Sequence, residues 1–475
     1  MASTIPDPHP PATAAVNTPP PGERAGRVEV HGIDRIPESE RHGRPRQLFA
    51  IWAAANVNYL SLVIGGALVL MGLSLWQALA VIVIGNLFWA PVGLLAVSGP
   101  ASGTPSEVIM RAMYGVRGNR VNIAVVGWAI GTCYIALNLA ASAYVAFSLV
   151  ERAGITADTA VKTGVVVVIA ALTLAISVYG HGMIVKLYLP ITLVLTAVFA
   201  VTAVSIFQHA DFGYRPAEPL AGTDLVAVLA AGVTLIASGP LSYSNSADFA
   251  RYLPRTASRT SVATWTALGG FIPGVIVCAL GAFAATALDM SDPQTALEGI
   301  LPGWFTPVFL VSVVLGTIAI NAMTAYSSGL ALQAVGVRLR RSVSVVIDGV
   351  FATALTLYAL LVSDFLDTVS DVLQLTVVVV GPSMAIYATD IVLRRARYDG
   401  EALTDETPGS PFWYAGGVRW SGCAALVAGM AASALCANTL YTGPVADALG
   451  GVDLSLPAGA VVAAGLYGLL ARRTA

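Results

Sequence analysis

Twelve apolar runs separated by short polar loops leave this chain few folds to adopt. They fall at about 48–72, 75–98, 121–150, 161–180, 184–207, 225–253, 261–288, 305–336, 343–362, 368–393, 418–437 and 455–471. Each is close to the roughly 20 residues that carry a helix across a bilayer. Hydrocarbon offers no partner for backbone N–H and C=O groups, so runs of this length are read as helices. Only 11% of the 475 residues are charged, against about 25% in soluble domains. The chain is therefore expected to be an all-α integral membrane protein with about twelve spans.

Charge supplies an independent check on the count. If the N-terminus is placed inside, 22 of the 25 Lys and Arg residues fall on the inner side. Only Arg152, Lys162 and Arg215 fall outside. A missed or added span would scramble that alternation, so the positive-inside bias supports twelve spans with both ends cytoplasmic. Residues 1–44 read as a Pro-rich disordered tail followed by a basic segment before the first span. The tail lacks the apolar core of a secretory signal.

Two spans are interrupted by polar residues. In the sixth, Gly239-Pro240 is followed by Ser242, Tyr243, Ser244, Asn245, Ser246 and Asp248. Pro cannot donate a backbone hydrogen bond, and small hydroxyl and amide side chains compete for backbone partners. Gly239 and Pro240 are thus the expected helix breaks, although an ordinary proline kink is the alternative. The first span carries Asn56, Asn58, Tyr59 and Ser61 before Gly65-Gly66. Spans one and six are five apart, which points to two inverted repeats whose broken helices meet at a midplane site. The repeats are expected at 45–207 (helices 1–5) and 208–394 (helices 6–10), with a cytoplasmic loop and helices 11–12 over 395–475. Asn56 and Asn58 could instead join neighbouring helices.

Other polar or aromatic residues stand alone in apolar surroundings. Trp128 and Thr132, four apart in the third span, share a helical face. An indole there could stack on a planar ligand, or could sit at the membrane interface. Asn321 in the eighth span needs a partner, and a substrate is one candidate. Asp248 is either a proton carrier or the partner of Arg251 in a local ion pair. The four cysteines lie in apolar runs with no CxxC pair, so neither a disulfide framework nor a metal site is suggested. No motif with a nucleophile and its base, a HExxH or a phosphate-binding Gly loop is present, which argues against an enzyme. Amides, hydroxyls and aromatics without fixed charge suit a small, neutral, planar solute.

The chain resembles the nucleobase–cation symporter family in its purine–cytosine permease branch. The resemblance rests on VEVHGIDRIPESER, ALAVIVIGN, GLLAVSGPASG, VGW, SNSADFARYLPR and Asn321 with AYSSGL, and covers about residues 28–400. It implies a leucine-transporter-type fold of five-plus-five inverted repeats with two extra helices. It implies a site made of Trp128 stacking on the base, Thr132 where relatives carry Gln or Asn, Ser242, Tyr243, Ser244 and Asn321. Asn58 and Ser61 of the first break join it. Sodium-coupled relatives carry two hydroxyl residues immediately before the position of Asn321; here these are Ala319 and Ile320, so H+ is the expected coupling ion. The expected function is import of cytosine or purines across the plasma membrane by H+ symport, with no cofactor and no nucleic-acid partner. Alternatives are a thiamine- or pyridoxine-like vitamin, allantoin or a hydantoin carried with Na+, or a channel or substrate sensor.

Overall fold

A computed structural model describes residues 26–361, 365–439 and 441–473. The Pro-rich tail expected at the start of residues 1–44 lies outside them. Among the described residues, ten helices are long and apolar enough to cross a membrane, and an eleventh span forms if the bent pair Gln47–Asn56 and Tyr59–Leu70 is one unit. A shorter apolar helix, Trp420–Leu435, occupies the eleventh expected run. Apart from two isolated β-bridges, the regular structure of the described residues is thus helical, and each of the twelve expected runs coincides with one or more helices.

The helices sort into two groups. Span seven (Arg259–Ala285) lies along both halves of span one and against span two (Leu75–Ser102), which also packs on span six (Gly222–Leu241). Span three (Val116–Arg152) packs on eight (Thr306–Ala334) and nine (Arg341–Leu361), and four (Thr159–Tyr179) packs on the same pair. Span five (His181–His209) contacts spans one and eight. Bare glycines allow the closest approach: a Cβ on Gly281 would lie 1.8 Å from the Leu62 carbonyl, and one on Gly65 1.9 Å from that of Cys278. Lipid supplies no hydrophobic drive between helices, so such small-residue contacts carry much of the packing.

The first break is where the sequence placed it. The helix stops at Asn56, resumes at Tyr59, and the two halves meet at 58°. Asn58 is extended and caps the second half, accepting from Ser61 N at 2.9 Å and donating to Ala55 O at 2.9 Å. The sixth-span break falls later than expected. Gly239 and Pro240 lie inside the last turn of Gly222–Leu241, and the chain leaves the helix only after Ser242. Pro240 removes one N–H near a helix end, a small loss that the turn absorbs. Termination comes from the polar side chains beyond it: Ser242 Oγ donates to Gly239 O at 2.6 Å, and Ser246 Oγ donates to Val92 O at 2.7 Å.

Candidate substrate site and N-terminal latch

A narrow cavity lies where the sixth-span break meets span three. Ser242, Tyr243, Ser244 and Asn245 form one wall; Gly127, Gly131, Tyr134 and Asn138 of span three form the other, with Thr324 and Glu107 completing it. It holds about 30 Å³, room for one water molecule, so a larger solute enters only when the walls part. Tyr243 is seated from behind, stacked on Trp89 with centroids 5.5 Å apart and edge-on to Trp52 at 5.0 Å. This aromatic wall is held by the two spans that flank the break.

The sequence-derived residues divide. Ser242, Tyr243 and Ser244 line the cavity. Asn58 and Ser61 are used within the first break, and neither reaches the cavity. Asn321 donates to Ile135 O at 3.0 Å, joining span eight to span three, and is also outside it. Trp128 and Thr132 face span nine: the Trp128 ring meets Phe351 edge-on at 5.9 Å, and Thr132 Oγ1 lies 2.5 Å from Asp348 Oδ1. A widened π-type turn over Ala124–Ala129 explains the change of face. Such a turn takes up an extra residue and rotates the helix beyond it, so Gly127 and Gly131 meet the cavity in place of Trp128 and Thr132.

Two carboxyl groups important to this region escaped the sequence reading. Glu107, 2% exposed, follows the second span on a short helix that resembles an ordinary loop in the sequence. Its side chain is within hydrogen-bonding reach of Asp248. Asp248 is not in an ion pair with Arg251; its Oδ1 accepts from Ser106 N at 2.8 Å, while Ser106 Oγ accepts from Ala247 N at 3.2 Å. One oxygen of each carboxyl has no donor among the described residues. Two carboxyls in contact away from water hold at least one proton between them. The other, Asp348, sits in the run 343–362, where a lone intramembrane carboxyl is itself a functional signal.

Beneath the cavity the N-terminal segment closes one side of the helix bundle. Glu29 is 6% exposed and pairs with Arg251 Nη2 at 3.0 Å, with Arg341 Nε at 3.7 Å. It also accepts from Tyr252 OH at 2.7 Å, Tyr326 OH at 3.0 Å and His181 N at 2.9 Å. One carboxylate thereby ties the end of span six to spans five, eight and nine. Burial alone would raise its pKa, but Arg341 and Arg251 with the donated hydrogen bonds hold it at about 2. Outside this latch a vestibule of about 1060 Å³ opens, lined by Arg111, Arg120, Arg338, Arg340 and Arg341.

Known proteins share this sequence pattern and this fold. Residues 35–459 match the family described as permease for cytosine/purines, uracil, thiamine, allantoin. A putative purine-cytosine permease, YxlA of Bacillus subtilis (strain 168), is 26% identical over 457 residues, 94% of this chain and 96% of that protein. Among solved structures, the fold is similar to Mhp1, a nucleobase-cation-symport-1 family transporter in a closed conformation with bromovinylhydantoin bound. That match has a TM-score of 0.75 at 18% identity, covering 96% of this chain and 95% of that one. A Na+-coupled sialic acid symporter in an outward-open state shares the fold at TM-score 0.61 and 11% identity, over 92% of each chain.

Proposed function

Because this chain belongs to the family of permeases for cytosine/purines, uracil, thiamine and allantoin, and is a transporter and not an enzyme, we propose that it imports a nucleobase by H+ symport. Cytosine or a purine is the solute, and the protein works in the plasma membrane with both termini cytoplasmic. The observation that carries this reading is the cavity between Ser242–Asn245 and span three. Its walls offer a carboxyl (Glu107), two amides (Asn138, Asn245), hydroxyls and a tyrosine ring, with no cationic side chain among the described residues that line it. Such groups match the N–H edges of an amino-substituted base; a carboxyl accepts from the amino group of cytosine.

The coupling ion is argued from span eight. Na+ requires oxygen ligands, and Ala319 and Ile320 have none in their side chains. The Ala319 carbonyl already accepts from Tyr188 OH at 2.5 Å, which supports H+ as the ion. In transport the bundle of spans one, two, six and seven rocks against spans three, four, eight and nine, exposing the cavity to each side in turn. A second reading, a hydantoin-like heterocycle, is favoured by the likeness to a structure holding bromovinylhydantoin.

The test is uptake of radiolabelled cytosine and hypoxanthine in expressing cells, with external Na+ replaced by choline and pH varied. Uptake that ignores Na+ and rises with external acidity is expected. Uptake that collapses without Na+ refutes H+ coupling. Failure of both bases, with labelled hydantoin taken up, moves the substrate to the second reading.

A further inference from the structure

Asp348 is fully buried in span nine, and the groups around it provide for both a neutral and an ionised carboxyl. Thr132 Oγ1 lies 2.8 Å from Trp128 O and 2.5 Å from Asp348 Oδ1. A hydroxyl has one hydrogen and cannot donate to both oxygens. If the carboxyl is protonated the inventory closes: Asp348 O–H donates to Thr132 Oγ1, and Thr132 O–H donates to the Trp128 carbonyl. Two further donors, Ser328 Oγ and Trp128 Nε1, lie near enough to act on the carboxyl without forming a hydrogen bond to it in this structure. Both are buried without a partner among the described residues, as is Asp348 Oδ2. They are the donors an ionised Asp348 requires, since a carboxylate in a span is costly unless it is hydrogen-bonded or paired.

Charge around the group is sparse. Span three presents Thr132 and Trp128, span eight presents Ser328, and span four presents Leu174 against the adjoining Gly349. Among the described residues, the side chains that act on Asp348 are those of Thr132, Ser328 and Trp128, none of them charged. On its own helix Arg341, seven residues earlier, is occupied by Glu29 and the carbonyls of Ser177 and Val178. Asp248 differs: Arg251 acts on it electrostatically, and Glu107 lies beside it.

We propose that Asp348 is the proton-binding group of the transport cycle and that it acts through Trp128. Ionised, Asp348 takes hydrogen bonds from Thr132, Ser328 and the Trp128 indole, holding that ring toward span nine. Protonated, it needs only Thr132 as acceptor, and the indole is released toward the cavity one residue away at Gly127. A proton taken from outside therefore precedes tight binding of the base. It leaves as H+ to cytoplasmic water through the vestibule, restoring the carboxylate. The proposal rests on the H+ symport reading.

Purified wild type, D348N and D348E in proteoliposomes test it. Asn mimics the neutral acid, so D348N should retain [14C]cytosine counterflow within about threefold and lose accumulation driven by an inward acid gradient at least tenfold. D348E should recover part of that accumulation, whereas a merely structural hydrogen bond would be better preserved by Asn. Gradient-driven accumulation by D348N that equals wild type overturns the proposal, as does loss of coupling in D248N with D348N unaffected. Wild-type accumulation driven by Na+ and not by the acid gradient overturns the H+ reading itself, and Asp348 with it. Infrared difference spectra of wild type minus D348N need no solute: they should show a protonated-carboxyl C=O stretch that fades as pH rises, and a difference spectrum without that band overturns the assignment.

Discussion

Replacing Glu29 by glutamine should loosen the face closed by the N-terminal segment while leaving the fold intact. The Gln oxygen would keep the bonds from Tyr252 and Tyr326 OH, its NH2 could not accept from His181 N, and Arg251 and Arg341 would lose their shared counter-charge. Lowering of the Glu29 pKa from 4.5 to about 2 corresponds to about 3 kcal/mol between its charged and neutral forms. If that energy belongs to the latched state, its loss shifts the balance between latched and open forms roughly a hundredfold. The reporter is a cysteine at Thr324, on the cavity wall, in a background with the four native cysteines replaced by serine. In inside-out vesicles, alkylation at that position should be fast in E29Q and slow in the parent. Because the folded pKa is depressed, the Glu29 contribution is complete above about 4.5 and declines only as pH falls toward 2. Parent labelling should therefore be flat between roughly pH 5 and 8. Equal labelling rates in E29Q and parent would refute the latch, and a parent rate rising between pH 7 and 5 would refute the assigned ionisation.

Other substitutions probe packing and the site. Gly281→Ala forces a methyl group against the Leu62 carbonyl; we expect a loss of about 1–3 kcal/mol, seen as a lower Tm in detergent. Gly164→Ala, with open space around it, should be neutral in the same assay. Asn58→Ala removes the cap of the second half-helix and should cost about 1 kcal/mol of stability while leaving cytosine affinity within about threefold; a large affinity loss would mean Asn58 reaches the solute. Tyr243→Phe keeps the ring stacked on Trp89 and should transport normally, whereas Tyr243→Ala should abolish uptake, measured with labelled cytosine.

Much of the architecture is local in origin and so was legible in one dimension. Apolar runs become helices because the bilayer leaves their backbone no other partner. Asn58 breaks the first span through bonds to Ala55 and Ser61, its near neighbours in the chain, and the polar tract after Pro240 likewise predicted that Ser242–Ser244 would face a cavity. Where a side chain points across helices was decided by the tertiary structure alone. The widened turn at Ala124–Ala129 rotates Trp128 and Thr132 toward span nine, and hydrophobic periodicity does not record a one-residue offset in an all-apolar helix. Asn321 meets the Ile135 carbonyl, 186 residues away, and Asp348 meets Thr132 across 216. Glu29 gathers partners from four distant segments, and Glu107 lies in a stretch that reads as a plain loop until Asp248 is folded against it. A sequence shows that a buried polar group needs a partner; only the packed helices show which group supplies it, because that depends on rotation and depth, which no local pattern encodes.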